Sequence, residues 1–314
     1  MQELFGTKNK LKSIKTHLSP INIVFTFFIL LLLPIRYPAN SLDSLTTKKR
    51  LINTSLITSS AISFAGLHQL WYKDYPSTTF HFFNDLEEWK YMDKTGHICT
   101  SYHLNKFTHH LLASNQIEKP LLKSSIYSFA YMLGIEAFDG FSQKWGFSNY
   151  DILSNAIGTL LFAVQEKKFK YQFLKIKFSS HQSNITHCRP NLLGKTKLER
   201  VFKDYNGQSY WVTLNLNKTF NEKIEILKYI DLAIGYTIDG FIGARNNQII
   251  DCNCIDCNQL NRTSSLLLSL DINLEPLKGK NKLLDVLIKP FSILKFPAPT
   301  IIFQQKPIFK TIYF

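Results

Sequence analysis

Leu268-Ser269-Leu270-Asp271-Ile272-Asn273-Leu274 alternates apolar and polar residues without a break. A period of two places every second side chain on one face of an extended chain, so this stretch predicts a half-buried strand. The same alternation recurs in Leu174-Lys175-Ile176-Lys177-Phe178 and in Tyr210-Trp211-Val212-Thr213-Leu214-Asn215-Leu216. Ile230 to Phe241, Ala298 to Phe303 and Ile308 to Phe314 supply further strands. Asn206-Gly207, between Val201–Tyr205 and Gln208–Val212, predicts a two-residue hairpin turn, because both residues tolerate positive φ. The second half therefore reads as an antiparallel sheet. The alternation also fits transmembrane β-strands, and Ile312-Tyr313-Phe314 resembles the aromatic ends of outer-membrane barrels. About seven strands fall short of the minimal eight for such a barrel, which leaves a periplasmic sheet as the plainer reading.

Upstream the period becomes helical. Leu56, Ile57, Ala61, Phe64, Leu67 and Leu70 share a broad face within Ser55–Trp71. Three more helices are expected at Asp93–Ala113, Pro120–Asp139 and Ser148–Gln165. Pro120 suits a first helical turn, Gly140 suits a stop, and Ser148-Asn149-Tyr150-Asp151 has capping-box spacing with Asp in place of Glu. The predicted fold is thus α+β, an N-terminal bundle of about four helices followed by an antiparallel β-rich half. The period changes between Glu166 and Lys170, which gives a helical unit at residues 51–168 and a β-rich unit at 169–314.

Lys8, Lys10, Lys12 and Lys15 precede an apolar run from Ile21 to Leu33 that Pro34 and Arg36 close. This is the layout of a secretory signal, so residues 1–39 are expected to be a signal peptide or, uncleaved, a transmembrane anchor. The expected compartment is the bacterial cell envelope. The net charge of +14 favours an anionic partner. No basic helix with interleaved aromatics reads as a nucleic-acid module, so a membrane or an anionic envelope lipid is the expected partner. Protein partners leave no sequence signal. Five cysteines cannot all pair internally, and Cys252-x-Cys254-x-x-Cys257 reads either as half a metal knuckle or as a local disulfide.

The polar residues of the helical half fall in pairs. Asp93 and His97 open one helix, Glu136 and Asp139 close the next, and Asp151 and Asn155 open the third. Spacings of three or four put each pair on one helical face, and an up-down-up bundle brings all three to the same end. Crowded carboxylates beside an imidazole can serve as acid and base, with His97, Glu136 and Asp139 as the catalytic candidates. Alternatively Asp93, His97, Glu136 and Asp139 ligate a divalent metal. A third reading is a hydrogen-bonded capping network, since Asp93 and Ser148 are good N-caps and the helix dipole favours Asp151. Glu136 and Asp139 sit at the unfavourable end of a dipole and call for a compensating positive charge: Lys94, Lys144, protonated His97 or a metal. No nucleophile in a triad context accompanies them, and His68, His103, His109, His110, His181 and His187 complete no metal spacing.

At these residues the chain resembles a known family. Met92-Asp93-Lys94-Thr95-Gly96-His97, then Glu136-x-x-Asp139-Gly140-Phe141-Ser142, then Trp145-Gly146-Phe147-Ser148-x-x-Asp151-x-x-x-Asn155-x-x-Gly158 looks like the YfiM-like family of predicted periplasmic lipoproteins. More distantly the same order resembles the VanZ-like membrane proteins. Longer envelope members are similar through Lys203-Asp204-Tyr205-Asn206-Gly207-Gln208-x-Tyr210-Trp211 and Pro297-Ala298-Pro299-Thr300. The resemblance implies an envelope location and marks Asp93, His97, Glu136, Asp139, Asp151 and Asn155 as shared positions, without implying a reaction. One departure is that no cysteine closes the apolar run where a lipoprotein carries its acceptor.

Overall fold

The computed structural model describes residues 42–219, 224–247, 255–277 and 290–314, with Gly279 and Ile288. Helices fill the N-terminal half and a six-stranded antiparallel sheet the C-terminal half, the expected α+β arrangement. The leader at residues 1–39, with Cys252 and Cys254, lies outside the described residues. Among the described residues no helix is long and apolar enough to cross a membrane, so the expected transmembrane helix finds no support there.

The four long helices are α1 (Leu42–Leu67), α2 (Met92–Ser114), α3 (Pro120–Gly140) and α4 (Asn149–Phe169). Pro120 starts α3, where a missing N–H costs nothing. Gly140 ends it under the Phe80 ring, which would stand 2.4 Å from a Cβ at that position. Ser148 caps α4 by accepting the Asp151 N–H at 3.1 Å. Ile52 and Leu56 of α1, Leu104 and Phe107 of α2, and Tyr131 and Met132 of α3 form one core cluster. On its other side α2 meets α4 and the first strand, through Cys99, Tyr102, Phe162 and Ile176.

The strands are β1 (Leu174–Ser180), β2 (Gln208–Asn215), β3 (Ile230–Asp239), β4 (Thr263–Ile272), β5 (Ala298–Phe303) and β6 (Ile308–Tyr313), hydrogen-bonded in sequence order. Trp211 is fully buried because its register partner on β3 is Gly235, where a Cβ would meet the indole at 2.5 Å. The alternation is present, but the buried face is mixed, carrying Trp211, Ala233, Leu267 and Ile302 together with many polar residues. Along β4 the polar residues Ser265, Ser269 and Asp271 are buried while Leu266, Leu270 and Ile272 are exposed. Buried ion pairs make this possible: Lys175 Nζ lies 2.5 Å from Asp231 Oδ2, and Lys177 pairs with Asp271.

The hairpin expected at Asn206-Gly207 is absent, and the strand expected at Val201–Tyr205 is a short helix, Lys197–Lys203. Thr196 caps that helix by accepting the Glu199 N–H, a local bond that outweighs the strand pattern. Asn206 and Gly207 sit in a tight 3-10 turn leading into β2. The Asn206 side chain bridges Asp204 and the Phe241 backbone instead of sitting at a turn tip. Among the described residues the sheet has six strands where about seven were expected.

Candidate functional site

The start of α2, the end of α3 and the start of α4 meet at one end of the bundle. Just before α2, Trp89, Lys90 and Tyr91 all have positive φ, at 49°, 52° and 68°. This conformation costs a non-glycine residue roughly 1–2 kcal/mol, so packing must hold it. The Trp89 N–H donates to the Ala244 carbonyl at 2.9 Å, its ring lies 5.2 Å from that of Tyr205, and the Tyr236 hydroxyl donates to the Lys90 carbonyl at 2.6 Å. The turn delivers a fully buried Met92 and places Asp93 and Lys94 at the helix start.

Lys94 is the hub. Its buried ammonium lies 2.7 Å from Asp85 Oδ2, 2.9 Å from Asp93 Oδ2 and 2.6 Å from Asp151 Oδ1. The Tyr205 hydroxyl donates to Asp93 Oδ1 at 2.7 Å, and the Ser148 hydroxyl donates to Asp85 Oδ1 at 2.5 Å. Ser148 therefore caps α4 and fixes Asp85 together. Asp151, expected as the acidic member of a capping box, directs its carboxylate to Lys94.

His97 lies between two pairs of polar atoms. Its Nδ1 is 3.1 Å from Asn155 Oδ1 and 3.4 Å from Glu136 Oε1. Both are acceptors, so Nδ1 carries a hydrogen and the chemistry of the ring is left to Nε2. Nε2 is 3.7 Å from Asp151 Oδ1 and 3.9 Å from Asp93 Oδ1, beyond hydrogen-bond reach. Glu136 is fully buried, and neither carboxylate oxygen has a hydrogen-bond partner. The Asn155 amide nitrogen is likewise buried without one.

Five carboxyl groups, Asp85, Asp93, Glu136, Asp139 and Asp151, thus share two cationic side chains, Lys94 and His97. Burial works against the His97 charge, but Asp151, Asp93 and Glu136 outweigh it and raise its pKa to about 9. Burial would raise Asp93, yet the charges of Lys94 and His97 hold it well below the usual carboxylate range. Lys94 cannot serve three carboxylates equally. Asp151 is pushed up by burial and by the neighbouring Asp93 charge, and Glu136 is pushed up by burial. Asp139 is raised to about 8, mainly by burial. The cluster therefore holds protons at neutral pH that isolated carboxylates would have lost.

The structure brings Asp93, His97, Glu136, Asp151 and Asn155 of the three pairs together at one end of the bundle, with Lys94 and Ser148 beside them. Asp139 stands slightly apart and accepts the Tyr72 hydroxyl at 2.7 Å. The donor atoms close enough to share an ion belong to Asp93, His97 and Asp151, within 4.8 Å of one another. Of the other two expected ligands, Glu136 lies on the Nδ1 side of the imidazole and Asp139 accepts from Tyr72. Lys144 also lies outside the cluster, over the rings of Tyr75 and Trp145. Three contributors escaped sequence reasoning: Asp85, Tyr72 and Tyr205. Tyr205 lay inside the Lys203-to-Trp211 motif, which was a usable signal. A surface cleft of about 380 Å3, lined by Phe82, Phe83, Asn84, Asn149 and Tyr150, flanks the Asp85 and Ser148 side.

The cysteines behave differently from expectation. Cys257 forms a disulfide with Cys188, 69 residues away, so it joins neither a local disulfide nor a knuckle. The His187 Nε2 lies 3.7 Å from each sulfur.

Residues 81–167 match the model of the family DUF2279, described as a predicted periplasmic lipoprotein. The match spans the cluster from Asp85 to Asn155. No curated protein and no solved structure gives a significant match. The chain is a protein of the Gram-negative cell envelope, periplasmic and membrane-associated, as its leader led one to expect.

Proposed function

We propose that this envelope protein holds a divalent cation between Asp93, His97 and Asp151 and uses the site to bind or act on an envelope lipid or glycan. One observation carries the reading: His97 Nε2 faces two carboxylate oxygens at 3.7 and 3.9 Å, too far to bond directly, while its Nδ1 is hydrogen-bonded to Asn155 Oδ1 at 3.1 Å. A metal-bound histidine typically has its second nitrogen fixed in this way, and separations near these suit two ligands of one ion. A dication would also offset the carboxylate excess around Lys94. Tyr205 would hold Asp93 as the outer partner, and Glu136 would accept the Nδ1 proton. The wider likeness to YfiM-like and VanZ-like proteins supports an envelope setting for this residue order.

The test is the metal content of the full chain purified from its membrane fraction, for wild type and His97→Ala. Near-stoichiometric metal in the wild type, lost in the variant, is the expected result. Equal and negligible metal in both removes the cation.

A second reading rests on Lys94, which already bridges three carboxylates as a fixed cation. On that reading the cluster is a proton-sharing structural network. His97→Ala then lowers thermal stability with no change in metal content.

A further inference from the structure

We infer that the exposed face of α3 and α4 is a membrane-docking surface seated against the acyl chains of a bilayer with anionic headgroups. The inference stands apart from the cation site, since it uses none of its residues. Leu122 and Ile126 on α3, with Leu153, Ile157, Leu160 and Val164 on α4, are all exposed, several by more than half. The four on α4 follow one another at spacings of four and three, which makes a single stripe. An amphipathic helix of a water-soluble bundle turns such a stripe inward.

Here the inward side carries many polar and small residues beside the buried Tyr131, Met132 and Phe162. Ser124 donates to Asn105 at 2.7 Å, Asn105 donates to the Thr159 carbonyl at 3.0 Å, and Ser128 donates to the Ser101 carbonyl at 2.9 Å, all buried between helices. Polar contacts and small residues inside, with large aliphatics outside, are how helices associate when the surrounding medium is hydrocarbon. The sheet repeats the inversion, burying Asp271 and exposing Leu270.

The ends of the face identify lipid rather than another protein. At the α3 start and α4 end stand Lys119, Lys123, Lys167, Lys168 and Lys170, all exposed and suited to phosphate headgroups. At the other end Phe80, Phe82, Phe138 and Phe141 are exposed, as interfacial aromatics are. Leu122 to Phe138 runs about 24 Å along α3 at 1.5 Å per residue, so the lysines and the aromatics stand at opposite ends of the face. The acidic cluster lies at the aromatic end of the bundle, which puts it near headgroup level.

The experiment reconstitutes the full chain into vesicles of phosphatidylethanolamine and phosphatidylglycerol containing a lipid-dissolved carbene precursor, and maps the label by peptide mass. Label on the stretch Leu153–Val164 is expected, weaker in phosphatidylcholine vesicles, and lost in the double variant Ile157→Glu with Leu160→Glu. Those positions are exposed, so circular dichroism should match the wild type. Label confined to residues 1–39 overturns the proposal. So does protection of the face without vesicles in a dimer that the glutamates split, which assigns it to a second copy.

Discussion

Gly158 of α4 lies so close to α2 that a Cβ there would stand 2.1 Å from Ser101 Oγ and 2.2 Å from the Ile98 carbonyl oxygen. A lone serine side chain could rotate away, but the carbonyl is backbone and Ser101 is itself bonded to the His97 carbonyl at 2.8 Å. Gly158→Ala must therefore push α4 away from α2 at the level where Asn155 faces His97. We expect a loss of about 1–3 kcal/mol, typical of overpacking. Urea denaturation monitored by circular dichroism measures it, and an alanine variant as stable as wild type would show that the helices are not held this tightly.

The helices and strands were legible because hydrophobic period is a local property, and the end at which the polar pairs meet followed from helix direction alone. Which face of the strands is buried was not legible, since a period of two says that faces differ and not which one meets the interior. Lys175 and Lys177 look like solvent-facing residues until Asp231 and Asp271, on other strands, are brought alongside. Asp85 and Tyr72 come from segments without a clear period, so nothing around them points at the cluster, whereas Tyr205 was marked only by the Lys203-to-Trp211 motif. At Asn206 a strong hairpin dipeptide competed with the cap at Thr196 and Glu199, and the cap signal was equally visible in the sequence. The Cys188–Cys257 pairing depends on the path of 69 residues and has no local signature.

His103 gives a pH dependence. It is buried between α2 and β1, its Nε2 2.9 Å from the Ile176 carbonyl, and burial pushes its pKa down to about 3. The unfolded chain takes up this proton near pH 6.5 while the native state refuses it, so the contribution is full above pH 6.5 and shrinks as pH falls toward 3. Stability should drop by about 1.4 kcal/mol per pH unit from this group in that window. His103→Gln, which keeps a donor and cannot titrate, should flatten the slope between pH 6.5 and 5. An unchanged slope in urea midpoints would mean that His103 charges in place.

Lys177 and Asp271 test the polar side of the sheet. Both are buried, and the Phe296 N–H also donates to Asp271 at 2.9 Å. Lys177→Met alone strands a carboxylate and should cost about 3–5 kcal/mol, whereas Lys177→Met with Asp271→Leu should recover most of that loss. The two single variants and the double, compared in one thermodynamic cycle, give the coupling directly. Additive losses would show that the two side chains do not act as a pair.

Lys94 separates the two readings of the cluster. Lys94→Met leaves Asp85, Asp93 and Asp151 facing one another without their common cation, a loss of about 3–5 kcal/mol for a buried charge network. Removing the ammonium also frees the oxygens it held, Asp93 Oδ2 and Asp151 Oδ1, for another positive charge. If Asp93, His97 and Asp151 form a cation site, millimolar Mn2+ or Mg2+ should raise the melting temperature of Lys94→Met more than that of the wild type, because binding to the native state alone adds stability. Adding His97→Ala to Lys94→Met should then abolish most of the recovery, since the imidazole is the one nitrogen ligand of the set. A proton-sharing network behaves otherwise. Its Lys94→Met variant regains stability as the carboxylates are protonated in mild acid and shows no response to the metal. Thermal melts of the single and double variants, with and without cation at pH 7.5 and 5.5, distinguish the outcomes.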